Sequence, residues 1–105
     1  MARGLLYVET LPTSSEQLAD YHRWHNEVHV PEVVEANGFL GARRFEPVGH
    51  DGPFVTIYEI EADDIDIVRQ QIATRAQGNG PARSPASAPP VAVRFYREIS
   101  AYPAD

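Results

Sequence analysis

Apolar and polar positions follow two rhythms along this chain. "GLLYVET", Gly4 to Thr10, concentrates apolar and β-favouring residues in a short run, the pattern of a strand. "LPTSS" ends it. Ser14 and Gln17 stand at capping-box spacing, which predicts a helix beginning near Ser15. Within "EQLADYHRWHNEVHV", Leu18, Tyr21, His25 and Val28 recur on one helical stripe. Pro31 has no N–H to donate and disfavours helical geometry at Val30, yet it suits the first position of a new turn. The expectation is a helix, a kink or break near Val30, and a further turn or two ending at Asn37-Gly38. "FLGARRFEPVG" reads as a second strand, "HDGP" as a turn and "FVTIYEIE" as a third strand. "ADDIDIVRQQIATRAQ" predicts a second helix, capped by Asp63 or Asp64, with Ile65, Val68 and Ile72 as its apolar stripe. "GNGPARSPASAPP" is a loop without core-forming residues, and "VAVRFYREIS" is the last strand.

The order β-α-β-β-α-β predicts a ferredoxin-like α+β fold. Its antiparallel four-stranded sheet carries two helices on one face, and one domain takes in residues 1–105. A sheet covered on one side only should alternate apolar and polar positions. Here Leu5 and Tyr7 oppose Leu6 and Val8, and Phe54, Tyr58 and Ile60 oppose Val55 and Ile57. Both faces are apolar, and two helices cover only one. The other face is expected to pack on a second copy, making a homodimer.

Composition removes several classes. The formal charge of −6 on 105 residues repels phosphate backbones, so nucleic acid is not an expected partner. No polybasic patch is present, and no apolar run approaches the roughly 18 residues of a membrane span, so no membrane partner is expected. "MARGLLYVET" is too short for a secretion signal. With no cysteine there are no disulfides, thiolate nucleophiles or cysteine-held metals, and the cytoplasm is the default compartment by elimination.

The chemistry concentrates in "YHRWHNEVHVPE", which holds the only tryptophan and three of the four histidines. His22, His25 and His29 are three and four residues apart, so they lie on roughly one side of a helix. A shared metal would want a carboxylate at close range, and Glu27 points away from His25. The reading is therefore of no metal site. Imidazole titrates near neutrality, so His25 and His29 are candidate proton carriers. The alternative is that they are core-edge histidines with satisfied hydrogen bonds. Tyr7 and Tyr58, on adjacent central strands, are candidate catalytic phenols if both face the helices; otherwise they face the dimer partner. Arg43 and Arg44 point to opposite faces, so one turns inward, to hold a substrate carboxylate or phenolate or to pair with a glutamate. Trp24, Tyr21, Phe39 and Arg44 are the candidate substrate-contacting residues.

Trp24, Glu27, His29 and Pro31 in "WHNEVHVPE", together with "GFLGARRFEP" and the element order, resemble the dimeric α+β barrel superfamily, most closely its EthD-like branch. The likeness extends from Leu5 to Glu98. It implies a pocket between sheet and helices in each subunit of a dimer. It also implies an aromatic or polyketide-like ligand and cofactor-free cyclisation, isomerisation, decarboxylation or oxygenation. In that match His29 is the acid/base residue. Some members bind haem instead, which makes His29 or His25 an alternative haem or metal ligand, and a non-catalytic ligand-binding protein is a third reading. Asn37-Gly38 stands where many EthD-like chains have Pro-Gly.

Overall fold

A computed structural model describes residues 1–77 and 84–104. Four strands, β1 (Ala2–Thr10), β2 (Phe39–Phe45), β3 (Phe54–Ala62) and β4 (Ala92–Arg97), form one antiparallel sheet in the order β2-β3-β1-β4. This is the ferredoxin-like topology that the element order predicts. Three helices lie on one face: α1 (Leu18–Trp24), α2 (Val30–Val34) and α3 (Ile65–Gln77).

The register decides which side chains share a face, because residues directly opposite each other in a ladder project the same way. Leu6 stands opposite Tyr58, and Gly4 opposite Ile60. Leu6, Tyr58 and Ile60 meet Val33 from α2 and Ile65 and Val68 from α3 in the buried core. Tyr7 stands opposite Ile57, and Leu5 opposite Glu59, so these residues project from the other face. Phe45 and Tyr96 lie on that face too and are exposed.

The first helical arm departs from expectation in three ways. It opens with a 3-10 turn at Ser15–Gln17, and Ser14 makes no side-chain capping bond. Of the kink or break expected near Val30, a break is absent. In its place a π-helical turn, His25–His29, joins α1 to α2 without interruption. The Val30 N–H donates to the His25 carbonyl, five residues back. Proline in a regular helix collides with the carbonyl four residues earlier and leaves it without a donor. A single widened turn absorbs that defect without breaking the helix. The predicted stripe is also narrower: Tyr21 and His25 are buried, but Leu18 is 38% exposed and Val28 is 41% exposed. The wider turn carries Val28 out of line with Tyr21.

The arm stops where Asn37-Gly38 predicts, with Gly38 at φ +96°, a conformation open to glycine. The second helix is capped by Asp64, whose Oδ1 accepts the Asp66 N–H at 2.9 Å. Between β2 and β3 the positive φ falls at Gly49, not at the expected Asp-Gly pair. Of the loop from Gly78 to Pro90, residues 78–83 lie outside the described residues. The remainder is anchored beside β1. Thr13 N–H donates to the Ala86 carbonyl, Ala88 N–H to Leu11, and Val91 N–H to Glu9. Ala86 is buried in this return path.

Candidate functional site

The widened turn fixes the site's geometry. Its rings sit in a chain of contacts. Trp24 and His29 stack at 4.7 Å with 14° between their planes. His25 meets His29 edge-on at 5.4 Å, Trp24 at 4.7 Å and Tyr21 at 4.4 Å. Tyr21 anchors the cluster to the sheet through a hydrogen bond between its hydroxyl and that of Thr10. His22 meets Tyr21 edge-on at 5.1 Å and Phe54 at 4.8 Å, at the edge of the group.

Arg44 brings a cation to the cluster from β2. Alternation and register separate it from Arg43. Arg43 projects outward and donates to Glu59 at 2.9 Å. Arg44 projects toward the helices, donates from Nη1 to Asn26 Oδ1 at 3.0 Å, and lies 5.4 Å from the Tyr21 ring centroid.

Burial sets the protonation of the imidazoles. His25 is 2% exposed, and desolvation, reinforced by the positive charge of Arg44, pushes its pKa down to about 3. His29 is also lowered, chiefly by burial; Glu32 opposes the shift. Both rings are therefore neutral at pH 7. His25 Nε2 lies 3.3 Å from the Ser87 hydroxyl. The Nδ1 atoms of His25 and His29 and the Nε of Arg44 are buried without a hydrogen-bond partner. Unpaired buried polar atoms are costly, and these three fall within one contact group. Burial raises the Tyr58 phenol well above its ordinary range, so Tyr58 is neutral as well.

The structure brings Tyr21, Trp24, His25, His29 and Arg44 together. Tyr58 and Phe39 pack edge-on at 6.0 Å in the adjoining core. Tyr7 does not join them. It projects from the opposite face, where its hydroxyl donates to Glu9 Oε2 at 2.8 Å. Tyr7 and Tyr58 thus do not face one hollow, because a one-residue offset in register reverses the face. The clefts also differ from expectation. One of about 360 Å³ opens beside Trp24, Glu27 and Pro85, and one of about 610 Å³ lies between Leu18, His22, His50 and Phe54. Trp24 lines the first and His22 the second, but His25, His29 and Tyr58 line neither. Three residues escaped the sequence reading: Thr10, Asn26 and Ser87. Each holds a site residue by one polar bond, and no spacing rule marks such partners. Among the described residues no group of three or more His, Asp or Glu converges as a metal-ligand set. Nor is any helix among them long and apolar enough to cross a membrane.

These elements define the class: an antiparallel four-stranded sheet with helices on one face, in the ferredoxin-like α+β arrangement. No family model and no curated protein matches the sequence. Among solved structures, the chain is similar to an arginine-to-serine mutant of MhuD, crystallised with two manganese protoporphyrin IX molecules bound per active site. The TM-score is 0.52 at 15% identity, and the match covers 99% of this chain and 100% of that one. The likeness is one of fold.

Proposed function

We propose that this chain is a small cofactor-free enzyme of the EthD-like kind that acts on an aromatic or polyketide-like molecule by proton transfer. The observation that carries the reading is the His25–His29 pair, two neutral imidazoles with unpartnered Nδ1 atoms beside a tryptophan face. An aromatic ligand lies along Trp24, at the cleft of about 360 Å³. His29, the less buried ring, takes a proton from the substrate and returns it later in the turnover. That sequence serves cyclisation, isomerisation or decarboxylation alike. His25 is enclosed by Tyr21, Trp24 and His29, and it orients its neighbour. Arg44 stabilises negative charge that develops on the substrate oxygen. Tyr58 packs in the adjoining core, and Tyr7 belongs to the opposite face. His29→Ala should lower turnover by about 10² to 10⁴ while circular dichroism stays unchanged. Turnover within threefold of wild type in His29→Ala and His29→Gln would remove His29 from the mechanism.

The opposite face, with Leu5, Tyr7, Val55 and Ile57, packs on a second copy of the chain in this reading. Sedimentation at micromolar concentration should give twice the 11.7 kDa chain mass; a monomer under those conditions contradicts it.

A second reading is haem binding. It is supported by the porphyrin bound in the MhuD mutant and by the neutral state of both imidazoles here, the form that ligates iron. His29, a neutral imidazole stacked on Trp24, would be the residue to hold the iron. Bound iron would supply redox chemistry there. Haemin titration would then give a saturable Soret shift that His29→Ala abolishes. A spectrum equal to that of free haemin rules the reading out.

A further inference from the structure

We infer that Ser87 is a positioning residue: it locks His25 in the tautomer that carries its proton on Nε2, and so leaves His29 as the ring that moves protons. The tautomer follows from local geometry, and its consequence for proton transfer rests on the enzyme reading above. Ser87 is 62 residues from His25 in sequence. It reaches the ring because the segment before β4 is clamped to the chain leaving β1. The Ala86 carbonyl accepts the Thr13 N–H at 2.9 Å, the Pro85 carbonyl accepts the Thr13 hydroxyl at 2.9 Å, and the Ala88 N–H donates to the Leu11 carbonyl at 3.0 Å. Ser87 sits between these bonds, bridged to Pro12. Its hydroxyl oxygen lies 3.3 Å from His25 Nε2 and 3.3 Å from the Ala88 carbonyl oxygen.

A neutral imidazole and a hydroxyl hold one polar proton each, and two arrangements distribute them. With the ring proton on Nε2, His25 donates to Ser87 and the Ser87 hydroxyl donates to the Ala88 carbonyl. Both protons are then bonded, and only the Nδ1 lone pair is unmet. With the ring proton on Nδ1, the hydroxyl must turn to Nε2, and the Ala88 carbonyl loses its donor from Ser87. Nδ1–H is then buried with nothing to accept it. His25 is 2% exposed, so bulk water does not supply the missing acceptor. The second arrangement makes one hydrogen bond fewer, a disadvantage of about threefold to tenfold in population. The bond at one ring nitrogen thus decides the proton on the other. In the favoured form Nε2 is committed as a donor. Nδ1, the nitrogen left to take a proton, is enclosed, with no partner for the N–H it would gain. His25 is therefore a fixed neutral ring, and proton transfer falls to the half-buried His29.

The test is the long-range proton–nitrogen correlation spectrum of the imidazoles at pH 7, with His25 assigned by the signals lost in His25→Gln. Wild type should show a protonated Nε2 and a bare Nδ1, with the Nε2–H proton shifted downfield by its bond to Ser87. Ser87→Ala should move that proton upfield and bring the two nitrogen shifts closer together, as the second tautomer gains population. Ser87→Thr, which restores the hydroxyl, should return both signals toward wild type. A wild-type ring protonated on Nδ1 overturns the tautomer. A ring spectrum unchanged in Ser87→Ala, with the strand amides at their native positions, overturns the role of Ser87. These signals report on the ring whether or not a substrate is turned over. Failure of the enzyme reading, which the His29 variants would show, therefore leaves the tautomer standing and removes only its consequence for proton transfer.

Discussion

The two helical layers over this sheet occupy similar places in the βαβ halves and are built in opposite ways. The second, α3, is regular. Asp64 caps it, Ile65 and Val68 drop into the core, and Asp66 binds Arg69 and Gln70 on the surface at 2.6 and 2.9 Å. It carries no histidine and no tryptophan. The first has no side-chain cap, passes from 3-10 to α to π to α, and buries an imidazole where α3 buries branched apolar residues. Regular spacing buries the most apolar surface with the fewest polar liabilities, so a helix that only holds the core tends toward it. The π turn gives up that regularity across His25–His29, whose rings meet edge-on at 5.4 Å. The core beneath α3 gives the sheet the stability to carry such a turn.

The largest effect should come from damage to the regular layer. Ile65→Ala should lower unfolding free energy by about 2 to 4 kcal/mol. Below the transition, the Trp24 indole signal should match wild type, since Ile65 is in the core cluster and not in the aromatic one. A shifted native signal would mean that the two layers are coupled and the contrast is false.

The irregular layer should show itself in pH dependence. The folded pKa of His25, about 3, lies below the unfolded value near 6.5. Its neutral form therefore stabilises the fold fully above about pH 6.5, and that contribution is lost as pH falls toward 3. Urea unfolding should give a value about 1 to 2 kcal/mol lower at pH 5 than at pH 7. His25→Gln should flatten the drop; an equal drop in the variant would place the sensitivity in other groups.

The smallest difference lies at the two helix starts. Asp64→Ala should cost about 1 kcal/mol, because a side chain caps that end. Ser14→Ala should cost under about 0.5 kcal/mol, because no side-chain bond is lost. Equal costs in chemical denaturation would show that the capping contrast has no energetic weight.

The element order, the second helix with a cap at Asp63 or Asp64, and the stop at Asn37-Gly38 could all be read from the residues. Each is a local matter, set by side-chain spacing, backbone freedom or a missing N–H. Pro31 announced a disturbance but not its form. A proline states that one donor is missing, and neighbouring packing decides whether the chain breaks, kinks or widens. The wide turn, in turn, decided that Val28 leaves the stripe and that His25 and His29 touch.

Parity was also local. Side chains alternate along any strand, and that alone parts Arg43 from Arg44 and sets Leu5 with Tyr7 against Leu6 with Val8. Which member of each pair meets the helices is a question of register between strands far apart in the chain. The ladder that sets Leu6 against Tyr58 and Tyr7 against Ile57 sent Tyr7 outward, and the ladder of β2 on β3 turned Arg44 in. That choice had to wait for the folded sheet, since hydrogen bonds between strands, and no property of either strand alone, establish which residues stand opposite each other.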